Sequence, residues 1–469
     1  MNEIISLLQL AIPFLIVLLL PIAGSIWVVV GAQKTLWWVA IYFVCLFYFP
    51  NASWGLVDKG SDSSFYNRGT GLFFFSAVNI FLIGLAAQAL AARTWANPLR
   101  IESNLTKQAI FFWIILMGNV FLGIFLENVQ WFEVFGYSGL INVANFMLAF
   151  FILTSCLHKS EDLDRLVNIL LFCAVTRGLW GAFRFLALGG DPANFYANFQ
   201  KIDVTLTFFD INDTLVAALA LFVAGWRLTS GTLLPRRHRV LYWAIVALEL
   251  FIIVFSYRRT AWGGLVLAFL VFALCQSRQL KISLLLAFVS LGIPALIYKS
   301  FQRAGANLQS ASFIERLFPD IASKGDFSFT TGRFAELYAA YLSFKESPVW
   351  GLGAWGRYDG SRFSELAWHQ GDFGWMHSGM LHISLKSGLI GAAITIWMFV
   401  SFLRFIKLKK ATMPRAQLGI MMAGLAGVLF MLPNWLVGTP VIEYRTMQLM
   451  AFCFALPYMA HAVVAKKAA

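Results

Sequence analysis

The sequence predicts an all-α polytopic membrane protein of about twelve to fourteen transmembrane helices, with one large extracytoplasmic loop containing amphipathic helices. Three observations predict it. Of the 469 residues, 59% are hydrophobic and only 13% are charged, against roughly 25% charged in soluble domains, so the apolar excess needs lipid to bury it. The apolar residues fall in runs long enough to cross a bilayer. The basic residues gather in alternate short links between those runs, as the positive-inside bias requires. The 46 Phe and 17 Trp add the aromatic supply that membrane-interface belts use.

Hydropathy places spans near residues 5–31, 36–50, 70–92, 108–126, 138–157, 166–187, 210–228, 240–256, 260–276, 282–299, 379–402, 416–434 and 444–464, the first open to a break at Pro21. Helices are the expected spanning element because lipid leaves no partner for unpaired backbone groups. The first run starts at Ile4 with no basic segment ahead of it, which reads as a first membrane helix and not a cleaved leader. The division that follows is an N-terminal helical bundle over 1–299, a large loop over 300–378 and C-terminal helices over 379–469.

The links at 93–107, 227–239, 278–281 and 404–415, and the tail at Lys466 and Lys467, carry the basic excess and read as cytoplasmic. Most of the net charge of +13 is therefore topology and needs no nucleic-acid partner. Cys45, Cys156, Cys173, Cys275 and Cys453 are scattered through apolar runs; they suit neither a disulfide framework nor a metal knuckle and read as free core thiols.

Topology leaves five arginines unexplained. In "TTGRFAELYAAYLSFKESPVWGLG", Thr330 or Thr331 can cap a helix with an apolar face of Phe334, Leu337, Tyr338, Tyr341 and Leu342, ended by Pro348, Gly351 and Gly353. Arg333 sits in its first turn, the unfavourable end for a cation, and so needs an external anion or Glu336, three residues on. "SYRRTAWGGL" places Arg258 and Arg259 on a short outer link, where they either snorkel to headgroups or bind an anion. "VTRGLWGAFRFL" puts Arg177 and Arg184 on one face of a span. A cation there is costly and marks either a buried partner such as Asp210, Asp213 or Glu249, or an anion site.

Together these side chains would make a cationic basin near the outer leaflet, and a guanidinium fork suits the oxygens of a lipid-linked phosphate or diphosphate. The sequence has no Walker loop, dinucleotide fingerprint or HExxH zinc helix. Asp58 and Asp62, four apart in the first outer loop, make no convincing divalent-metal pair.

The motifs resemble a known family. "HSGMLHISLKSGLIG" reads His377-Ser378, nine residues, then Gly388-x-x-Gly391, and is similar to the H-[NSQ]-x9-G-x-x-G signature of the O-antigen ligase and Wzy-type polysaccharide polymerase superfamily. "SYRRTAWGGL" resembles that family's Ser-Arg-Gly-Ala-Trp stretch, with Arg259 at its arginine. The Gly-Arg segment matches with Arg333 at its arginine, and "FFDINDTLVAAL" is a weaker echo of an Asp-Pro-Asn motif. Ser378 stands where Asn is commonest, and Gly263 where a larger apolar residue is frequent. The three stronger motifs span 256–391; the N-terminal half matches only in hydropathy.

The resemblance implies a multi-pass protein of the bacterial inner membrane with its active site facing the periplasm. It would move an oligo- or polysaccharide from undecaprenyl diphosphate onto a glycan or lipid A–core hydroxyl, without cofactor or metal. Membrane lipids and other polysaccharide-assembly proteins are the further partners it implies. In that reading His377 is the general base and Arg333 a catalytic diphosphate clamp. Arg259, Arg258, Arg177 and Arg184 bind diphosphate, and Ser378, Gly388 and Gly391 are structural. Direct attack by the acceptor predicts inversion at the anomeric carbon. Ser384, Gly388, Gly391 and Thr395 form a small-residue stripe that would let a neighbouring helix approach closely. Lys386, inside the same motif, is unassigned, and His369 and His382 lack motif context.

Two rivals are a lipid-linked oligosaccharide flippase without catalysis and a metal-dependent transferase with a polyprenyl-monophosphate donor. The chain shows no internal repeat of the kind common in transporters, and no acidic metal pair.

Overall fold

The computed structural model describes residues 22–48, 76–96, 98–99, 101–126, 134, 139–192, 204–230, 234–304, 332–354, 356–359, 372–373 and 376–468. The start of the first expected span, Asp58, Asp62, His369 and the Thr330/Thr331 cap lie outside the described residues.

The bundle helices are α1 (Ile22–Tyr48), α2 (Ala77–Trp95), α3 (Thr106–Leu126), α4 (Ile141–Leu153), α5 (Glu161–Ala187), α6 (Ile211–Thr229), α7 (Arg236–Val254) and α8 (Arg259–Leu274). Helix α9 runs from Arg278 to Ala304 through a π turn at Phe288–Gly292. A shorter helix α10 (Gly332–Phe344) and a two-residue antiparallel pair, β1 (Tyr358–Asp359) and β2 (Asp372–Phe373), precede α11 (Gly379–Lys409), α12 (Arg415–Val437) and α13 (Tyr444–Ala468). Among the described residues nine helices are long and apolar enough to cross a membrane, with α4 and α8 as shorter apolar helices. The chain is an all-α multi-pass membrane protein.

One boundary differs from expectation. The spans expected at 5–31 and 36–50 meet in a single helix, α1, which passes through a 3-10 turn at Ala32–Lys34. Gly31 is there for close packing and not for a turn: a Cβ on it would lie 2.2 Å from Gln88 Nε2 on α2.

Helix α12 organises the half of the bundle that carries the motifs. Gly264 of α8 meets its backbone so closely that a Cβ would sit 2.0 Å from the Phe430 carbonyl oxygen, and Gly424 meets the Cys453 carbonyl of α13 in the same way at 2.7 Å. Small residues let helix backbones approach in lipid, where dispersion and not hydrophobicity holds helices together. The first turns of α8 and α11 rest on the end of α12, Gly263 against Pro433 and Gly379 against Trp435 and Pro440. The starts of α8 and α11 are thereby fixed at one end of the bundle, away from the basic links.

Helix α10 forms where expected, and Leu337 of its expected face packs inward, but the two tyrosines of that face do not. Ala335, Glu336, Ala339, Ala340 and Ser343 are buried, while Tyr338 and Tyr341 face outward. The small side chains allow α10 to lie close against α11, with Tyr358, Met376 and Leu385 completing a minor core; the larger aromatic face has no such fit.

The glycine stripe of α11 also works differently from its sequence reading. Gly388 has φ +62° and breaks the helix. The segment after Pro348 crosses the break, with Leu389 N–H donating to the Pro348 carbonyl (2.8 Å) and Leu352 N–H to the Leu385 carbonyl (2.7 Å). Asn119 of α3 donates to the Trp350 and Lys386 carbonyls at 2.7 and 2.6 Å. These bonds satisfy backbone groups that lipid would leave unpaired. Gly391 faces Phe112 of α3, the close helix contact the stripe predicts. A Cβ at Gly388 would sit 2.0 Å from the Val349 carbonyl oxygen, in a backbone region L-residues avoid. Gly388→Ala is therefore expected to destabilise the protein by more than about 2 kcal/mol, read as a lower unfolding temperature in detergent, with Gly391→Ala milder.

Candidate active site

His377 immediately precedes Ser378, whose Oγ caps α11 by accepting from Leu381 N–H at 3.3 Å. The cap fixes the chain direction there and sets the imidazole at the mouth of the helix, with 25% of its side chain exposed. Its Nδ1 lies 2.8 Å from Glu336 Oε2 on α10, and its backbone N–H donates to Glu336 Oε1. The Glu336 side chain is only 8% exposed. Beside it Tyr358 is buried, and that burial, followed by the Glu336 charge, pushes the phenol above its usual range. His382, one turn into α11, is buried at 1% exposure, which separates the two histidines by access to solvent.

Sequence reading offered Glu336 as a partner for Arg333, three residues away; it did not foresee the bond to His377. The available signal was an acidic residue on the small-residue face of α10. Arg333 occupies the second position of α10, and its side chain lies outside what is described.

Arg258 and Arg259 start α8 at the same end of the bundle. The link before them is tight: Tyr257 has φ +52°, the one positive value for a non-glycine among the described residues. Arg258 donates to the Phe209 carbonyl and lies 5.3 Å from the Phe209 ring centroid. Among the described residues it makes no ion pair. Lys299, near the end of α9, braces the link by donating to Tyr257 Oη at 3.2 Å and lying 4.0 Å from the Phe255 ring centroid.

Arg177 and Arg184 are placed differently, deep in protein. Arg177 makes a bidentate pair with Asp213, both bonds at 3.0 Å, and the two side chains are 2% and 1% exposed. Arg184 pairs with Asp191 at 3.0 Å and donates to the Thr207 carbonyl at 2.8 Å. The Phe208 ring centroid lies 4.8 and 4.7 Å from the two guanidinium carbons, and the ring fits there because Gly181 leaves room. This is the carboxylate-pairing alternative of the sequence reading, with Asp213 chosen over Asp210 and Glu249. Arg177 holds the first turn of α6 and Arg184 the segment before it, so both guanidinium groups are already paired with buried carboxylates and are poorly suited to grip a diphosphate.

Two further placements were not legible beforehand. Arg445, at the start of α13, pairs with Asp210 at 3.1 Å. Lys386 is fully buried in α11 and donates to the carbonyls of Gly139 and Ala354 at 2.9 and 3.2 Å, which ties the link before α4 and the loop after α10 to the broken helix. Among the described residues no three His, Cys, Asp or Glu side chains cluster as a metal site.

Residues 244–396 match the family model for O-antigen ligase. Over this segment the chain is similar to O-antigen ligase. The matched segment runs from the middle of α7 to the middle of α11 and takes in Arg258, Arg259, Arg333, Glu336, His377, Ser378, Gly388 and Gly391. Arg177, Arg184, Asp213 and Arg445 lie outside it. The resemblance read from the three motifs is borne out by the match, which supports a function of the ligase or polymerase type, on glycan and lipid-linked substrates in a membrane. No curated protein matches the chain.

Proposed function

We propose that the protein transfers a glycan from undecaprenyl diphosphate to an acceptor hydroxyl at the periplasmic face of the bacterial inner membrane. The observation that carries this reading is the solvent-reaching His377, held by a carboxylate within the matched segment, at the bundle end where Arg258 and Arg259 begin α8. His377 takes the proton from the acceptor hydroxyl as its oxygen attacks the anomeric carbon. The bond from that carbon to the diphosphate oxygen breaks, and undecaprenyl diphosphate leaves with the electron pair. Arg259, Arg333 and Arg258 stabilise the charge that develops on the leaving oxygen. Attack opposite the leaving group inverts the anomeric centre.

Gene deletion read on glycan gels tests the reading and separates the two acceptor classes. Polymer left on its carrier and absent from lipid A–core identifies a ligase; accumulation of single repeat units identifies a polymerase. Unchanged glycan output, or substrate trapped on the cytoplasmic side as a flippase defect would leave it, overturns the proposal. Arg259→Ala and Arg333→Ala are expected to raise the donor KM about ten- to a hundredfold, the loss of one charge-assisted contact. Lysine at either position restores only part, because an ammonium cannot reproduce the planar fork.

A further inference from the structure

We infer that Glu336 is a positioning residue for His377, setting which ring nitrogen carries the proton in the transfer step; this rests on His377 acting as the base. The two groups are 41 residues apart in sequence and meet because the small-residue face of α10 lies flat against the start of α11. Glu336 uses both carboxylate oxygens on one residue, Oε1 accepting the His377 backbone N–H and Oε2 facing Nδ1 at 2.8 Å. The first contact fixes the chain, the second the ring.

An ionised carboxylate only accepts hydrogen bonds, and a neutral imidazole has a single N–H. With that hydrogen on Nδ1, the lone pair is on Nε2, the nitrogen on the far side of the ring from Glu336. When Nε2 receives the acceptor's proton, the imidazolium that forms keeps the Glu336 carboxylate as its neighbour. The same carboxylate thus selects the reactive tautomer and offsets the charge created in the step. Burial of Glu336 strengthens the effect, since a pair shielded from water is little screened. Neighbouring Tyr358 stays neutral at ordinary pH, because burial and the Glu336 charge both oppose its ionisation, so it does not compete as a second anion.

Glu336→Gln is the near-isosteric test, assayed in purified, reconstituted full-length protein. The amide keeps an acceptor for the backbone N–H but can donate to Nδ1, which favours the tautomer with its hydrogen on Nε2. The expected result is a fall in kcat of about 10²- to 10⁴-fold with donor KM within about twofold. Glu336→Asp, which keeps the charge, is expected to recover part of that loss. The double variant Glu336→Gln/His377→Ala is expected to be no slower than His377→Ala alone, because Glu336 acts only through the histidine. A Glu336→Gln enzyme with wild-type kcat, beside an inactive His377→Ala, overturns the positioning role and leaves the base reading intact. An active His377→Ala removes the base reading itself. Where Glu336→Gln does not yield folded protein, Glu336→Asp decides: a kcat loss that adds in full to that of His377→Ala overturns the proposal.

Discussion

Replacing His377 with alanine is expected to lower glycan transfer by about 10²- to 10⁴-fold while the protein remains folded in the membrane, the range that a positioned proton acceptor contributes. The imidazole is a quarter exposed, so the space its removal leaves is open to solvent. Its loss leaves the Ser378 cap of α11 in place, because that bond is made by the next residue. The measurement is the initial transfer rate from lipid-linked donor in proteoliposomes, beside the elution profile of the detergent-solubilised protein. Full activity in a folded His377→Ala protein would remove the histidine from the chemistry. His382→Ala is the useful contrast: that ring is buried, so its loss should appear first in stability and not in rate.

The second large effect is expected at the buried pair of Arg177 and Asp213. Asp213→Ala should destabilise the protein by about 3–5 kcal/mol, because it strands a guanidinium in the protein interior. The double change Arg177→Met/Asp213→Leu should recover most of that stability, since an apolar pair of similar volume avoids the desolvation cost of both charges. Thermal unfolding in detergent reads the first result and the recovery. The double variant also decides between the two readings of Arg177. A folded double variant that transfers glycan assigns Arg177 to the fold. A folded one that has lost donor affinity returns it to the diphosphate site and overturns the structural assignment.

These experiments fall on the residues for which sequence and structure contribute differently. The motifs around Arg259, Arg333 and His377 are local strings, and they were legible together with the spans between them. Hydropathy and basic links gave the multi-pass class for a related reason: each depends only on neighbouring residues and on the solvent they require. The two tyrosines of the expected apolar face of α10 failed on the same ground. Side-chain hydrophobicity ranks Tyr338 and Tyr341 above Ala339 and Ala340, but close approach to α11 selects small volume over apolar area.

The sequence by itself determined that the chain lies in a membrane, which links are basic, and that a histidine opens a late span. Only the tertiary structure decided the pairings. It gave Asp213 to Arg177, Asp191 to Arg184 and Asp210 to Arg445. It turned Gly388 from a packing notch into a helix break crossed by the segment after Pro348, and it gave Lys386 two backbone carbonyls. It paired Glu336 with His377. The physical reason is common to all of these. A buried charge or an unpaired carbonyl states that it needs a partner, but several partners satisfy the same need, and only the packing of distant helices brings one of them within 3 Å or so.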